Sequence, residues 1–468
     1  MGGLINPNDA AWLYAEKPAM PTHIGCLSIF GMPDGAGRTY LLEMAERFRR
    51  TRIFSRPFNY ALRRSGAGRF IPMWDELEPD QIDLDYHFRH SALPTPGGER
   101  ELGTLVSRLH SYPLDRTRPL WEMHLIEGLA NDRFALYLKA HHALIDGVGG
   151  IRMLRRMLSD KPDAEAGGPP WALSSRSAAS APTETQREQP RSHLLAQAST
   201  QARSAVTAVR ALAGQWSRRN DALTRPFDAP VSDINRRICG KRRFATQNYA
   251  FSRIKTVAEA ADVSINDVFM ALCSGALRRY LGELGRLPGK SLIAGMPVSF
   301  RSADDAAAGN AISFMLASLH TDIADPLERL HACHASASAA KAELSRVPAE
   351  SMPQFTMMLM APYMAQVMLG VGGYVAPMHN LIISNVPGPR EALYLNGARL
   401  QEIYPISLLF NGEALNISVL SYGDRFNLGF TGCRDTLPHM QRVAVYTGET
   451  LAELERVLGL PAADGAAS

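Results

Sequence analysis

Hydrophobic and polar positions alternate from Phe134 to Ala140 and again from Leu415 to Leu420, the period of two that a half-buried strand requires. Between such runs stand longer patterns with apolar residues three and four apart, as in Val268, Phe269, Leu272, Leu277 and Leu281. That spacing predicts a helix with one buried face. Strands mixed with helices in both halves of the chain predict an α/β fold. Between Pro162 and Pro190 the pattern fails: Ala, Ser, Pro, Gly, Glu and Arg dominate and few large apolar residues are left to bury, which predicts a linker. A helical stretch follows from Ser192 to Arg219, with Leu194, Leu195, Ala198, Val206, Val209 and Leu212 on one face and Arg203, Arg210 and Arg218 between them. It reads as a bridging or surface helix. The expected division is therefore 1–160 and 241–468 as two subdomains, with 161–240 as linker and bridging helix.

A chain of 468 residues that is 46% hydrophobic can build two substantial cores. Its formal net charge of +4 gives no global reason to expect a nucleic-acid partner. The 5 cysteines are scattered, with no Cys-x-x-Cys pair, which fits reduced thiols in a cytoplasmic protein. No basic start followed by an apolar run marks the N-terminus as a signal peptide. One stretch, Ser351 to Pro389, has no Asp, Glu, Lys or Arg, and Phe355 to Ala376 has the length of a bilayer span. Pro362, Gln366, Gly372 and Gly373 interrupt it, so a buried or membrane-apposed helix is the expectation.

The strand ending at Ala140 runs directly into His141, His142, Ala143, Leu144, Ile145, Asp146 and Gly147, ahead of a second helical pattern. Pleating sends neighbouring side chains to opposite sides, so the two histidines should do different work. A neutral imidazole is a natural base for a hydroxyl proton. Asp146 can hold the shape of the turn, and Gly147 would let the backbone bend. An isolated histidine pair is usually a satisfied polar turn, but the complete His-His-x-x-x-Asp-Gly spacing favours chemistry.

This run resembles the active-site signature of the CoA-dependent acyltransferases, a superfamily that includes chloramphenicol acetyltransferase, plant BAHD enzymes and peptide-synthetase condensation domains. Pro119-Leu120-Trp121-Glu122, Asn266-Asp267, Met296 to Arg301 and Ser384-Asn385-Val386-Pro387-Gly388-Pro389 narrow the likeness to the bacterial wax ester synthase/diacylglycerol acyltransferase family, from about Ile5 to Leu458. The resemblance implies two chloramphenicol-acetyltransferase-like subdomains, with mixed sheets flanked by helices and the active site at their interface. It implies direct transfer from acyl-CoA, a substrate rather than a cofactor, to a long-chain alcohol or diacylglycerol, with His142 as general base. His141 would support it, Asp146 would be mainly structural, and Arg301 would be the partner of Asp146. No Gly-x-Ser-x-Gly elbow offers a covalent nucleophile instead.

The remaining candidates have ordinary readings too. Asn266 and Asp267 suit a helix start, while the likeness places Asn266 at the cleft as an aid to the carbonyl or oxyanion. Pro119, Leu120 and Trp121 would shape the cleft wall by packing, and Ser384 and Asn385 precede a turn and could line it. Methionines in the uncharged stretch are core filling or an acyl tunnel, for which Ala361, Met364 and Met368 are the expected wall. The arginines from Arg47 to Arg69, and Lys241, Arg242 and Arg243, are a solvated face or a site for CoA phosphates or lipid headgroups. His331, Cys333 and His334 do not share the geometry of a metal site. At Asn411-Gly412-Glu413 small polar residues replace a bulkier run of the family, which bears on the acceptor. Two rival functions keep these residues: a condensation-type domain forming amides, and a non-catalytic protein on neutral-lipid droplets. The expected place of action is the inner face of the cell membrane or a lipid inclusion, with contact at its surface only.

Overall fold

The computed structural model describes residues 3–69, 71–164, 167–173, 223–299 and 312–461, together with Thr207. Among the described residues fourteen strands run in chain order. The first sheet holds β1 (His23–Gly31), β4 (Phe88–Ala92), β5 (Trp121–Leu129), β6 (Arg133–His141), β11 (Tyr394–Leu395) and β12 (Ala398–Ile406) in the order β11-β12-β1-β6-β5-β4. The second holds β7 (Arg242–Ala250), β8 (Ile293–Ser299), β9 (Ile312–Ser318), β10 (Leu381–Pro387), β13 (Leu415–Tyr422) and β14 (Arg425–Cys433) in the order β7-β14-β13-β10-β8-β9. A small ribbon pairs β2 (Tyr60–Leu62) with β3 (Trp74–Glu76). Parallel pairs, β4 with β5 and β10 with β8 and β13, sit among antiparallel ones, so both sheets are mixed. This is the α/β architecture with two sheets that the sequence led us to expect.

Sequence order and spatial order part company at β12. Lying in the C-terminal half, it pairs antiparallel with β1 and completes the first sheet, so 241–468 does not form a body of its own. Nothing local in Ala398–Ile406 says which sheet edge it joins.

The expected linker is also narrower than 161–240. Trp171 has no exposed surface and stacks on Trp121 at 5.4 Å, while Ile234 and Asn235 are buried. Asn235 donates to the carbonyls of His379, Asn380 and Gly412. Polar composition hid these anchors because each is a single residue in a stretch too short to show a period. The bridging helix of 192–219 lies outside the described residues, apart from Thr207.

Helix Ile265–Glu283 is buried nearly all round and forms the centre of the larger core. Its start is a capping box: the Ser264 hydroxyl accepts from the Asp267 amide and the Asp267 carboxylate accepts from the Ser264 amide. Helix Met352–Leu369, from the uncharged stretch, buries Phe355, Leu359, Tyr363 and Val367 and leaves Met357, Ala361 and Met368 outside. No single helix among the described residues is long and apolar enough to cross a membrane.

Candidate active site

The antiparallel register of β1 on β6 sets His23 opposite His141, and the chain just before β1 therefore lies against the histidine pair. The His142 amide donates to the Thr22 carbonyl at 3.0 Å, and the His141 amide donates to the Leu120 carbonyl at 2.9 Å. Leu120 thus adjoins the pair through its backbone, while the Pro119 carbonyl accepts from the Trp121 amide at 2.9 Å.

His141 is fully buried and its tautomer is fixed by its neighbours. The Ala143 amide donates to Nδ1 at 3.0 Å, so Nδ1 carries no proton and Nε2 does. Nε2 donates to the Thr22 hydroxyl at 2.9 Å, which in turn donates to the Trp12 carbonyl at 3.0 Å. Burial, with the charges of His142 and Arg116 beside it, pushes its pKa down to about 3, so the ring stays neutral. Both nitrogens are engaged, which makes His141 a support.

His142 faces the other way and is half-buried. The indole of Trp12, from helix Pro7–Ala15, stacks on its imidazole with ring centres 4.2 Å apart and planes inclined by 25°. On the far side Trp12 stacks on Phe410 at 6.2 Å, so three rings run from the first half into the second. Burial lowers the His142 pKa, opposed by a hydrogen bond to its own backbone carbonyl and by the Asp146 charge.

Asp146 caps helix Gly147–Met157, its carboxylate accepting from the Gly149 amide at 2.6 Å. Its charge also helps raise the pKa of half-buried Asp9, where burial is the larger cause. Arg301, its expected partner, lies outside the described residues.

The wax ester synthase/diacylglycerol acyltransferase catalytic domain matches residues 5–269, and the C-terminal domain of the same family matches residues 308–455. A putative diacylglycerol O-acyltransferase of Mycobacterium tuberculosis is 40% identical, covering 99% of this chain and 98% of the relative. The solved wax ester synthase/diacylglycerol acyltransferase of Marinobacter aquaeolei VT8 is 38% identical with a TM-score of 0.77, covering 98% of this chain and all of that one. The chain belongs to the wax ester synthase/diacylglycerol acyltransferase family. The starter condensation domain of rhizomide synthetase, 12% identical with a TM-score of 0.57 over 98% of this chain and 94% of its own, shares the fold. Condensation domains and this acyltransferase are thus built on one architecture.

Not every expected site residue of the acyltransferase joins the histidines. Asn266 is half-buried on the first turn of its helix, and among the described residues no hydrogen bond links it to the pair. Asp267 is buried and engaged by Ser264 and by His334 Nδ1 at 2.7 Å, which makes it a helix cap and a brace between two helices. Trp121 is buried between His87, Phe58 and Trp171, in the core cluster that also holds Ile145, and acts by packing. Ser384 and Asn385 lie within β10, paired with Ser418 and Val419.

Three expectations are corrected. Gly147 opens the helix without a positive φ, and a Cβ there would meet nothing within 4 Å, whereas one at Gly149 would lie 2.9 Å from Asp146 Oδ1. Gly149 is the constrained glycine, because the capping carboxylate occupies the space. Arg242 is 3% exposed and gives its guanidinium to the carbonyls of Cys239 and, at 3.0 Å, Ala19, so it is a buried brace and not a phosphate ligand; Arg243 turns to Gln441 at 3.3 Å. Ala361 and Met368 face outward and Met364 packs only in part against the core, so the apolar wall of this helix is Phe355 and Leu359, which line a cavity of about 30 Å³ with Phe314 and Leu316. The basic run of Arg47–Arg69 finds acids from outside it, Glu46 for Arg49, Glu76 for Arg56 and Asp75 for Arg63.

Trp12, Thr22 and Phe410 were not anticipated. The one available signal was Trp12 on an apolar helix face with Glu16 four residues on. Thr22 and Phe410 have no local mark, since strand register and the meeting of the two halves bring them in. Asn411, Gly412 and Glu413 are buried in part as a structural corner: Asn411 Oδ1 accepts from the Ile238 amide at 3.0 Å, Gly412 has φ of 88°, and Glu413 accepts from the Tyr363 hydroxyl at 2.7 Å.

Proposed function

We propose that this acyltransferase esterifies a long-chain alcohol or diacylglycerol with the acyl group of acyl-CoA, using His142 as the general base and no further cofactor. The observation that carries this reading is the His142 imidazole at the end of β6, stacked on the Trp12 indole, which stacks in turn on Phe410 where the two halves meet. Nε2 takes the hydroxyl proton as the alcohol oxygen attacks the thioester carbonyl. The tetrahedral intermediate collapses, the carbon–sulfur bond breaks, and the imidazolium returns the proton to the leaving CoA thiolate. An ester and free CoA result. His141, Thr22 and Asp146 act on this step only through the position of His142.

Contact with a lipid surface belongs to the same reading. Leu369 and Tyr374 are each 75% exposed and Met357 65%, all in the stretch that carries no charged residue. Such a face suits apposition to the cytoplasmic side of a membrane or a lipid inclusion, where both acceptors reside.

The test supplies purified protein with palmitoyl-CoA and either hexadecanol or dioleoylglycerol, and measures free CoA thiol and ester together. Release of thiol with ester formation is expected for at least one acceptor. No release with either, while a carrier-bound acyl group is transferred to an amine, would replace this reading with the condensation one. Lipid binding without release under any condition would leave a coat protein.

A further inference from the structure

Of the cysteines, Cys273 and Cys333 are buried in the apolar core and Cys26 is partly exposed on β1, and burial pushes all three thiols up, Cys26 to about 11 and Cys333 to about 12. Cys239 and Cys433 differ. They stand 194 residues apart in sequence, on the approach to β7 and at the last position of β14, and the pairing of those two strands brings their sulfurs to 3.6 Å. Cys239 is partly exposed and Cys433 is buried behind it. The Cys239 amide and the Thr436 hydroxyl both donate to Cys433 Sγ, at 3.4 and 3.1 Å. The Cys239 thiol points its proton at Asp435, which Lys241 holds at 3.0 Å.

We propose that Cys239 and Cys433 form a modification site, a dithiol that a low-molecular-weight disulfide oxidises to an intramolecular disulfide. Cys239, the reachable thiol, attacks one sulfur of the oxidant, forming a mixed disulfide and releasing the first thiol. Cys433 then attacks the Cys239 sulfur, closes the protein disulfide and expels the second thiol. The protein loses two protons and two electrons, and the oxidant takes up both to become two thiols.

Closure requires the sulfurs to approach by about 1.5 Å from their 3.6 Å separation to reach bonding distance. The resolving sulfur is prepared for this. Burial alone would raise the Cys433 pKa, but the donors from Thr436 and Cys239 outweigh it and hold the thiol below its usual value. Among the described cysteines it is the one with a lowered pKa, and a thiolate is the form that attacks, whereas burial pushes the Cys239 thiol up, so the first exchange is the slower of the two. The bond would tie Cys239, whose carbonyl receives Arg242, to the end of β14, and Arg242 also holds Ala19, close before Thr22. The exchange uses neither His142 nor acyl-CoA, so it stands whether or not the proposed reaction does.

The test uses the folded full-length chain, incubated with glutathione disulfide, quenched, and assayed for free thiols in denaturant with peptide mapping by mass spectrometry. The 5 thiols should fall by two, with the Cys239 and Cys433 peptides joined, and dithiothreitol should restore all 5. The C433S chain should keep a glutathione adduct on Cys239, and C26S should form the bond like the parent. Retention of all thiols, a stable glutathione adduct on Cys239 in the parent chain, or a link between other cysteines would each overturn the proposal.

Discussion

The indole of Trp12 lies on the imidazole of His142, ring centres 4.2 Å apart, while the carbonyl of the same Trp12 receives the Thr22 hydroxyl that holds His141. One residue of the N-terminal helix therefore governs both histidines, the base through its ring and the support through its backbone.

The two contacts separate on substitution. Trp12→Ala keeps the carbonyl and removes the ring, so His142 gains freedom to leave its working orientation, and misplacement of a catalytic group by about 1 Å costs on the order of 100-fold. A fall in kcat of roughly 10- to 100-fold is expected, with Trp12→Phe recovering most of it because a flat ring remains. Steady-state kinetics on both variants checks this; equal loss in the two would show that the stacking is incidental.

Thr22→Val is nearly isosteric and removes the acceptor of His141 Nε2–H inside the protein. A buried donor left without a partner costs about 1–3 kcal/mol. Denaturant unfolding should show a loss of that size with the slope unchanged, and a stability equal to the parent would mean that His141 finds another partner.

At the turn, Asp146→Ala removes the cap of helix Gly147–Met157 and should cost about 1 kcal/mol. Gly149→Ala should also destabilise, because its Cβ would press on Asp146 Oδ1, whereas Gly147→Ala should be neutral or slightly stabilising in its open position. Thermal melts of the three variants rank them, and the opposite order for the two glycines would contradict the geometry.

Acid should silence the base only below its ordinary titration range. The folded pKa of His142 is lowered by burial, so the neutral, proton-accepting form persists below 6.5, and kcat/KM should hold level from pH 8 through 6.5 before falling. His87, His110 and His141 are lowered too, to about 4, 3 and 3, so the unfolded chain takes up protons first. Their contribution to stability is complete above pH 6.5 and declines as pH falls toward 4 and 3. Melting temperatures recorded at each pH distinguish loss of the base from loss of the fold; an activity limb at or above 6.5 in a folded sample would contradict the lowered pKa.

What the sequence made legible follows from what is local. The strand into His141, the turn at Asp146 and the helix at Asn266 each declare themselves within a few residues, through alternation, a short motif or a cap. Trp12 over His142, Thr22 under His141 and β12 beside β1 depend on register and on the approach of segments far apart in the chain. Arg242 reads as a surface cation because charge is visible in sequence, while the carbonyls of Ala19 and Cys239 that bury it are not. The same blindness covered Cys239 and Cys433. The outward turn of Ala361 and Met368 was lost because an uncharged helix carries no polar face to orient it.

The claim on which the rest depends is that His142 accepts the proton of the attacking alcohol. His142→Ala in the purified chain, assayed for CoA thiol release from palmitoyl-CoA with hexadecanol or dioleoylglycerol, measures it most directly. Turnover should fall by about 100- to 10,000-fold, the usual contribution of a general base, with the melting curve preserved. Undiminished thiol release by a folded His142→Ala protein would contradict the account.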